Sequence, residues 1–219
     1  MNVTRRTNSA VSRIRPSPMR NFDPILVARY EKDSWVAYYR RQWFTLLRLL
    51  IGLVRSTYGL SLLQAIYIGI PLTRAQMAFA PQDNDVPKAI EYMRQFFVYI
   101  QRLHHEDFDP DEAALAEVNW WVVHRKFFSH SDVPEVAESV ARAYAAAYRV
   151  DPAEVQAAAR HRALAMVYSD AWVLSERDPN DLRLKQEEEE LIKSYTALKQ
   201  AVNKNASPRD LNKEQTHGR

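Results

Sequence analysis

A short motif that favours the start of a helix recurs five times along the chain. An aspartate is followed by a proline, directly or after one valine, at Asp23-Pro24, Asp85-Val86-Pro87, Asp109-Pro110, Asp132-Val133-Pro134 and Asp151-Pro152. The aspartate accepts hydrogen bonds from the free N–H groups of a first helical turn, and proline is favoured at the first helical position. The chain also has only four glycines, too few for the tight turns of a sheet-rich protein. The sequence therefore predicts an all-α fold.

The spacing of these motifs divides the chain into helices joined by linkers of a few residues. Two further helix starts follow Gly59 and the turn Asp178-Pro179-Asn180. The predicted helices are residues 24–57, 60–79, 87–105, 110–128, 134–148, 152–176 and 181–203. We therefore expect a single helical domain, residues 22–203, built as a bundle of about seven helices.

The last predicted helix carries one apolar stripe. Its apolar residues follow each other at spacings of four, three and four, which place them on one face. They are Leu191, Tyr195, Leu198 and Val202. The acidic run at residues 187–190 is therefore expected to be solvated surface.

The two ends of the chain differ in charge from the domain between them. The first twenty residues hold five arginines and no acid, and residues 203–219 hold four basic and two acidic side chains. Because the whole chain has a net charge of +3, the body between these ends has a net charge of about −4. Nucleic-acid binding needs clustered cations, so we expect none from the folded body. Residues 1–21 are predicted to be a disordered basic arm and residues 204–219 a disordered polar tail.

The chain contains no cysteine. Disulfides, zinc–thiolate sites, iron–sulfur clusters and cysteine nucleophiles are therefore excluded. The absence of cysteine is typical of a reducing compartment, and we predict a cytoplasmic protein. The sequence leaves the oligomeric state open.

Residues 43–72 form the most apolar stretch of the chain. Arg48 and Arg55 interrupt it, whereas a spanning helix needs about twenty predominantly apolar residues. We therefore expect buried core helices and no transmembrane span. The alternative is a peripheral membrane contact through 43–72, with the arginines reaching headgroups and Trp43 and Tyr67 in the aromatic layer.

The densest mixture of polar and aromatic side chains is AEVNWWVVHRKFF, residues 116–128. At helical spacing Glu117, Trp121 and His124 share one face. A histidine in this position can ligate a metal or haem, act as a general base, or donate to a buried carboxylate. A pairing of Glu117 with His124 inside the core is the structural interpretation.

Two other predicted helices offer faces of the same character. The first helix places Glu31 and Tyr38 on one face, and the helix from residue 152 places Arg162 and Asp170 on one face. Buried charges persist only when they are paired, so we expect arginine–carboxylate pairs in the interior. The predicted ligand-binding residues are Glu31, Tyr38, Glu117, Trp121, His124, Arg162 and Asp170.

Motifs of several metal and phosphate sites are missing. The chain lacks the paired Glu-x-x-His motifs of di-iron bundles, the His-Glu-x-x-His zinc motif and a glycine-rich phosphate loop. The run EDFDPDE is similar to the start of a calcium loop, but Glu112 stands at the glycine position and Val118 at the position of the closing glutamate. We therefore predict no metal site of these kinds.

The segment FDPDEAALAEVNWWVVHRKFF, residues 108–128, resembles the Asp-Pro-x-Leu…Trp-Val-His stretch of the all-α haem-dependent latex-clearing oxygenases and related enzymes. In that family an aspartate–proline start leads into a helix that bears a functional histidine. The resemblance implies a haem cofactor with His124 as its axial ligand. It covers about a tenth of the chain, and a second tryptophan and an arginine interrupt the family's pattern.

Three functions remain open from the sequence. The leading hypothesis is a polar, aromatic-lined internal pocket that binds a small, mostly apolar ligand. The second is a haem-dependent, oxygenase-like enzyme with His124 as axial ligand. The third is a helical interaction or scaffold protein whose buried ion pairs are purely structural.

Overall fold

The computed structural model describes residues 17–204, which form eight α-helices and one short 3-10 helix without any β-strand. The all-α prediction is therefore confirmed. In chain order the helices are α1 Pro24–Tyr39, α2 Trp43–Tyr58, α3 Leu62–Phe79, α4 Val86–His104, α5 Pro110–Lys126, α6 Pro134–Tyr148, α7 Gln156–Val173 and α8 Leu182–Lys204. The 3-10 helix, Pro18–Arg20, precedes α1.

Four of the five aspartate–proline motifs begin helices as predicted, at α1, α4, α5 and α6. Asp23, Asp85 and Asp109 each cap a helix by accepting backbone N–H groups of its first turn. Asp132 does not cap α6, and Asp151 binds the N–H of Ala153, at 2.8 Å, in a turn that comes before α7. The aspartate therefore caps the helix wherever the helix begins at the next residue.

The predicted helix over residues 24–57 is wrong, because the chain breaks there into α1 and α2. Arg41 has a left-handed backbone, with φ of 58°, and the Gln42 N–H turns back to the carbonyl of Ala37 at 2.9 Å. A left-handed residue after a helix is a common way to end it, although glycine is the usual choice. The bundle therefore has eight α-helices in the described part of the chain and not seven.

The helices form a closed ring in which each helix packs on its neighbours in sequence. The ring closes because α1 packs on α8 as well as on α2. Short connections favour this order, since they keep consecutive elements adjacent. Every helix contributes to a cavity inside the ring, through Glu31, Leu50, Leu72, Met93, Glu117, Ala143, Arg162 and Tyr195 in order from α1 to α8.

Residues 17–21, which the sequence prediction assigns to the basic arm, pack on the helical domain. Met19 is buried, and Arg20 donates hydrogen bonds to the carbonyl oxygens of Tyr148, at 2.8 Å, and Val202. These carbonyls lie at the ends of α6 and α8, where they have no partner within the helix. The arm therefore does not extend to residue 21. Residues 1–16 of the predicted arm and residues 205–219 of the predicted tail lie outside the described residues.

The expectation that residues 187–190 are solvated is wrong for two of the four glutamates. Glu187 is completely buried and Glu190 is largely buried, because α8 packs on both α1 and α7. Glu190 accepts a hydrogen bond from His161 Nδ1 at 2.7 Å and another from Lys193 at 2.6 Å. Glu187 has no partner among the described residues.

Within residues 17–204, no single helix has both the length and the apolar character needed to cross a membrane. The pair α2 and α3 meets these two criteria only when both helices are counted together, and a bend of 118° separates them.

Candidate functional site

Two adjacent cavities lie on either side of a wall made by three tryptophans and a glutamine. We call them the outer pocket, about 570 Å³ in volume, and the inner cavity, about 140 Å³. The wall residues Trp35, Gln76, Trp120 and Trp121 contribute to both. The inner cavity is the one to which all eight helices contribute.

The structure divides the predicted binding residues between these two cavities. Tyr38 and His124 line the outer pocket, whereas Glu31, Glu117 and Arg162 line the inner cavity. Trp121 belongs to both, and Asp170 lies behind the outer pocket, where it holds His124. The predicted residues thus come together, but around two cavities and not around one pocket.

A buried ion pair organises the inner cavity. Arg162 on α7 donates to one carboxylate oxygen of Glu31 on α1, and the hydroxyl of Tyr195 on α8 donates to the other. The Arg162 guanidinium also lies over the rings of Trp120, at 4.6 Å, and Tyr144, at 5.5 Å, in cation–π contacts. The predicted arginine–carboxylate pair therefore exists. Together with Tyr195 it connects α1, α7 and α8.

The electrostatics of this pair are those of two charges that hold each other inside the core. Burial opposes the charge of Arg162, but the carboxylate of Glu31 and the neighbouring tyrosines keep the arginine pKa well above its ordinary value. Burial together with the charge of Glu31 raises the pKa of Tyr195 well above its ordinary value. Tyr195 therefore stays a hydrogen-bond donor to Glu31.

Glu117 is the second carboxyl group beside Arg162, and it is less well stabilised than Glu31. It accepts a hydrogen bond from the indole nitrogen of Trp121 at 3.3 Å. Burial raises the pKa of Glu117, although the charge of Arg162 works against the shift. One guanidinium serves two carboxyl groups, so Glu117 is held towards its neutral form.

Three polar atoms at the inner cavity have no hydrogen-bond partner among the described residues. They are Gln76 Oε1, Trp120 Nε1 and Arg162 Nε. A buried polar atom without a partner costs about 1–3 kcal/mol. The volume of 140 Å³ is enough for about four or five molecules of water, each of which takes about 30 Å³ in the liquid. The inner cavity can therefore hold small polar groups that bind these three atoms.

His124 faces the outer pocket in an orientation that Asp170 fixes. Its Nε2 lies 2.9 Å from Asp170 Oδ1, and the other carboxylate oxygen accepts from the Ser129 N–H, at 3.1 Å, and from the Ser131 hydroxyl, at 2.5 Å. Because an ionised carboxylate only accepts, the proton of this contact belongs to His124 Nε2. The pairing of His124 with Glu117 that the sequence suggested is wrong, since each has a different partner.

The arrangement of His124 does not fit an axial haem ligand that binds iron through Nε2. That nitrogen is engaged with the buried Asp170, so iron binding through it requires this contact to break. Among residues 17–204 no three His, Cys, Asp or Glu side chains cluster in a way that could hold a metal ion. We therefore derive no chemistry through haem or a metal at this site.

The outer pocket contains functional candidates outside the set of predicted ligand-binding residues. Arg41 and Arg177 line it from turns at the ends of α1 and α7, and Arg125 lines it from α5. Tyr39 faces it as well, with a pKa that burial and the nearby Asp170 raise. The two turn arginines are hard to find from sequence, because their positions depend on where the helices end.

Comparison of the chain with protein-family models, with curated protein sequences and with solved structures finds no significant match.

Proposed function

We propose that the protein binds a small, mostly apolar ligand in the outer pocket. The observation that carries the proposal is a cavity of about 570 Å³ with Trp35, Tyr38, Phe79, Trp121 and Phe128 in its lining. Small-molecule sites usually have volumes of about 300–1,000 Å³ and are lined by aromatic side chains with a few polar groups. The ordered His124–Asp170 pair provides such polar groups at a fixed position.

Probe binding tests this proposal directly. N-phenyl-1-naphthylamine is an uncharged apolar probe whose fluorescence increases in an apolar site, and Trp35 and Trp121 act as energy donors to it. Phe128→Ala removes an aromatic side chain from the pocket and should weaken binding about tenfold, the loss expected for a buried ring contact of about 1.4 kcal/mol. Phe44→Ala is the matched control, because Phe44 is 93% exposed and lies outside the pocket.

The alternative of a purely structural interior makes the opposite prediction. A helical scaffold protein whose ion pairs only fix the packing of helices gives no saturable binding of the probe. Equal binding by wild type, Phe128→Ala and Phe44→Ala would also contradict the pocket proposal, because it would place the probe elsewhere. The haem-dependent alternative predicts an intense visible absorbance band after addition of haemin, and His124→Ala should remove it.

A second proposal concerns the outer surface of α2 and α3, where we infer a peripheral membrane contact through residues 43–72. Phe44 and Leu63 are 93% and 79% exposed, and Arg48 and Arg55 are exposed nearby. Exposed apolar side chains next to cations suit the interface of an anionic bilayer. Leu63→Asp should reduce sedimentation with vesicles that contain phosphatidylserine, and equal sedimentation of both forms would contradict the contact.

A further inference from the structure

We infer that the ligand of the outer pocket carries a carboxylate on its apolar body. The inference rests on the proposed function and adds the charge of the ligand to it. Three guanidinium groups and one imidazole line the outer pocket, from Arg41, Arg125, Arg177 and His124, and no aspartate or glutamate among residues 17–204 lines it. A pocket with this lining attracts an anion and repels a cation.

The three guanidinium groups are held in place by neutral groups. Arg125 donates to the carbonyl oxygens of Phe79, at 2.7 Å, and Pro81, at 2.8 Å, and Arg41 donates to that of Ala80 at 3.0 Å. No ion pair joins Arg41, Arg125 or any other guanidinium of the pocket to an acid in the part of the chain that the structure describes. A guanidinium has five N–H donors, so donors and charge remain for a ligand.

Arg177 completes the set from the segment that follows α7. It donates to the carbonyl oxygens of Val173, at 3.0 Å, and Tyr39, at 3.3 Å, which again are neutral partners. Asp170, which lies behind the pocket, already accepts three hydrogen bonds, including the one from His124. Asp170 can therefore offset at most one of the three positive charges that line the pocket.

Two of these arginines stand at backbone positions that favour glycine. Arg41 and Arg177 have φ values of 58° and 57°, in the left-handed region where a side chain is strained. Glycine adopts this conformation without strain, so it can replace either arginine without disturbing the backbone. Arg149 has the same kind of backbone, with φ of 50°, but it lies outside the pocket and pairs with Asp107. It provides a matched control for the backbone effect.

The experiment compares two probes with the same apolar body in the full chain. 2-Naphthoate carries a carboxylate, and 2-naphthalenemethanol is its uncharged counterpart, so the ratio of their Kd values isolates the contribution of the charge. We expect 2-naphthoate to bind about tenfold or more tightly than the alcohol, because hydrogen bonds to a charged group are stronger than neutral ones. Only the naphthoate affinity should fall as salt increases from about 50 mM to about 500 mM.

The variants assign this preference to the arginines. Arg41→Gly and Arg177→Gly should lose most of the preference for naphthoate and keep the affinity for the alcohol. Arg149→Gly should behave as wild type towards both probes. Arg41→Gln keeps a side chain and removes the charge, so it reports on the same point if the glycine variants do not fold.

The outcomes distinguish a failure of the carboxylate inference from a failure of the proposed ligand binding in the outer pocket. Equal affinity for both probes, or tighter binding of the alcohol, would overturn the carboxylate inference and leave the apolar pocket standing. Absence of saturable binding by either probe would remove both. Loss of the preference for naphthoate in Arg149→Gly would show that the change of backbone causes the loss. Retention of this preference in Arg41→Gln would show that the charge of Arg41 does not cause it.

Discussion

Replacement of Glu187 by methionine is expected to stabilise the protein. The Glu187 side chain is fully buried on α8, and neither of its carboxyl oxygens has a hydrogen-bond partner among the described residues. Methionine has a similar length, favours helices and leaves no unpaired polar atom. Exchange of buried charged groups for apolar groups of similar volume stabilises proteins by about 1–4 kcal/mol, and we expect a gain in this range at neutral pH.

The size of the gain should depend on pH, because burial and the charge of Glu31 raise the pKa of Glu187 well above 4.5 in the folded protein. The pKa of Glu187 in the unfolded chain is the ordinary value of 4.5. At a pH between this value and the higher pKa of the folded protein, the folded chain keeps a proton that the unfolded chain has lost. The contribution of Glu187 to stability therefore falls as pH rises above about 4.5, by about 1.4 kcal/mol for each unit of pKa difference. The methionine variant lacks this decrease.

Urea unfolding at four pH values about one unit apart, pH 5, 6, 7 and 8, measures both effects. The advantage of Glu187→Met over wild type should grow from pH 5 to pH 8. Glu189→Met is the matched control, since Glu189 is exposed on the same helix, and it should change stability by no more than about 0.5 kcal/mol. A Glu187→Met variant that is less stable than wild type at pH 7, or an advantage that is the same at every pH, would refute the reasoning.

Three further perturbations are expected to destabilise the protein in urea unfolding. Arg162→Met leaves the carboxylate of Glu31 buried without its cation and should cost about 3–5 kcal/mol, whereas the double variant with Glu31→Met should recover most of the loss; no recovery would mean that the two do not act as a pair. Met19→Ala should cost about 2–4 kcal/mol, because Met19 is only 1% exposed, and an unchanged midpoint would show that the 3-10 helix is not held to the domain. Asp170→Asn should cost about 1–3 kcal/mol, because it weakens the bonds that orient His124, and equal stability would contradict this role.

The helix starts were predictable where the chemistry that makes them is local. Asp23, Asp85 and Asp109 bind N–H groups two or three residues ahead, so the sequence contains both partners. The break at Arg41 was not predictable in this way, because its left-handed backbone is unusual for a residue with a side chain. The all-α class was therefore predicted, whereas the break that divides residues 24–57 into α1 and α2 was not.

Burial along the last helix shows a second limit. The apolar stripe identifies the face of α8 that packs on one neighbour, but α8 has two, α1 and α7. A helix between two neighbours buries a wider arc than one stripe, and Glu187 and Glu190 lie within that arc. Only the order of the helices around the ring reveals this, and the sequence of α8 alone does not contain it.

The candidate site shows the same division between local and distant partners. Helical spacing placed Glu117, Trp121 and His124 on one face, and all three lie at the two cavities. Their partners could not be assigned, because His124 binds Asp170, which is 46 residues away in the chain. The sequence assigns Tyr195 to an apolar stripe. In the structure its hydroxyl donates to the carboxylate of Glu31, which is 164 residues away in the chain.

Because the ring of helices is closed, the chain can be given new ends at another connection between helices. Asn203 Nδ2 lies 3.0 Å from the Arg20 carbonyl oxygen, so the two ends of the described chain are adjacent in space. A circularly permuted gene that joins residues 17 and 204 through a short linker and opens the turn around Asn180 would keep the other helix neighbours of the ring. In the natural order the contact between α1 and α8 must wait for synthesis of the last helix; in the permuted order it becomes a contact between consecutive helices, which should form sooner during folding.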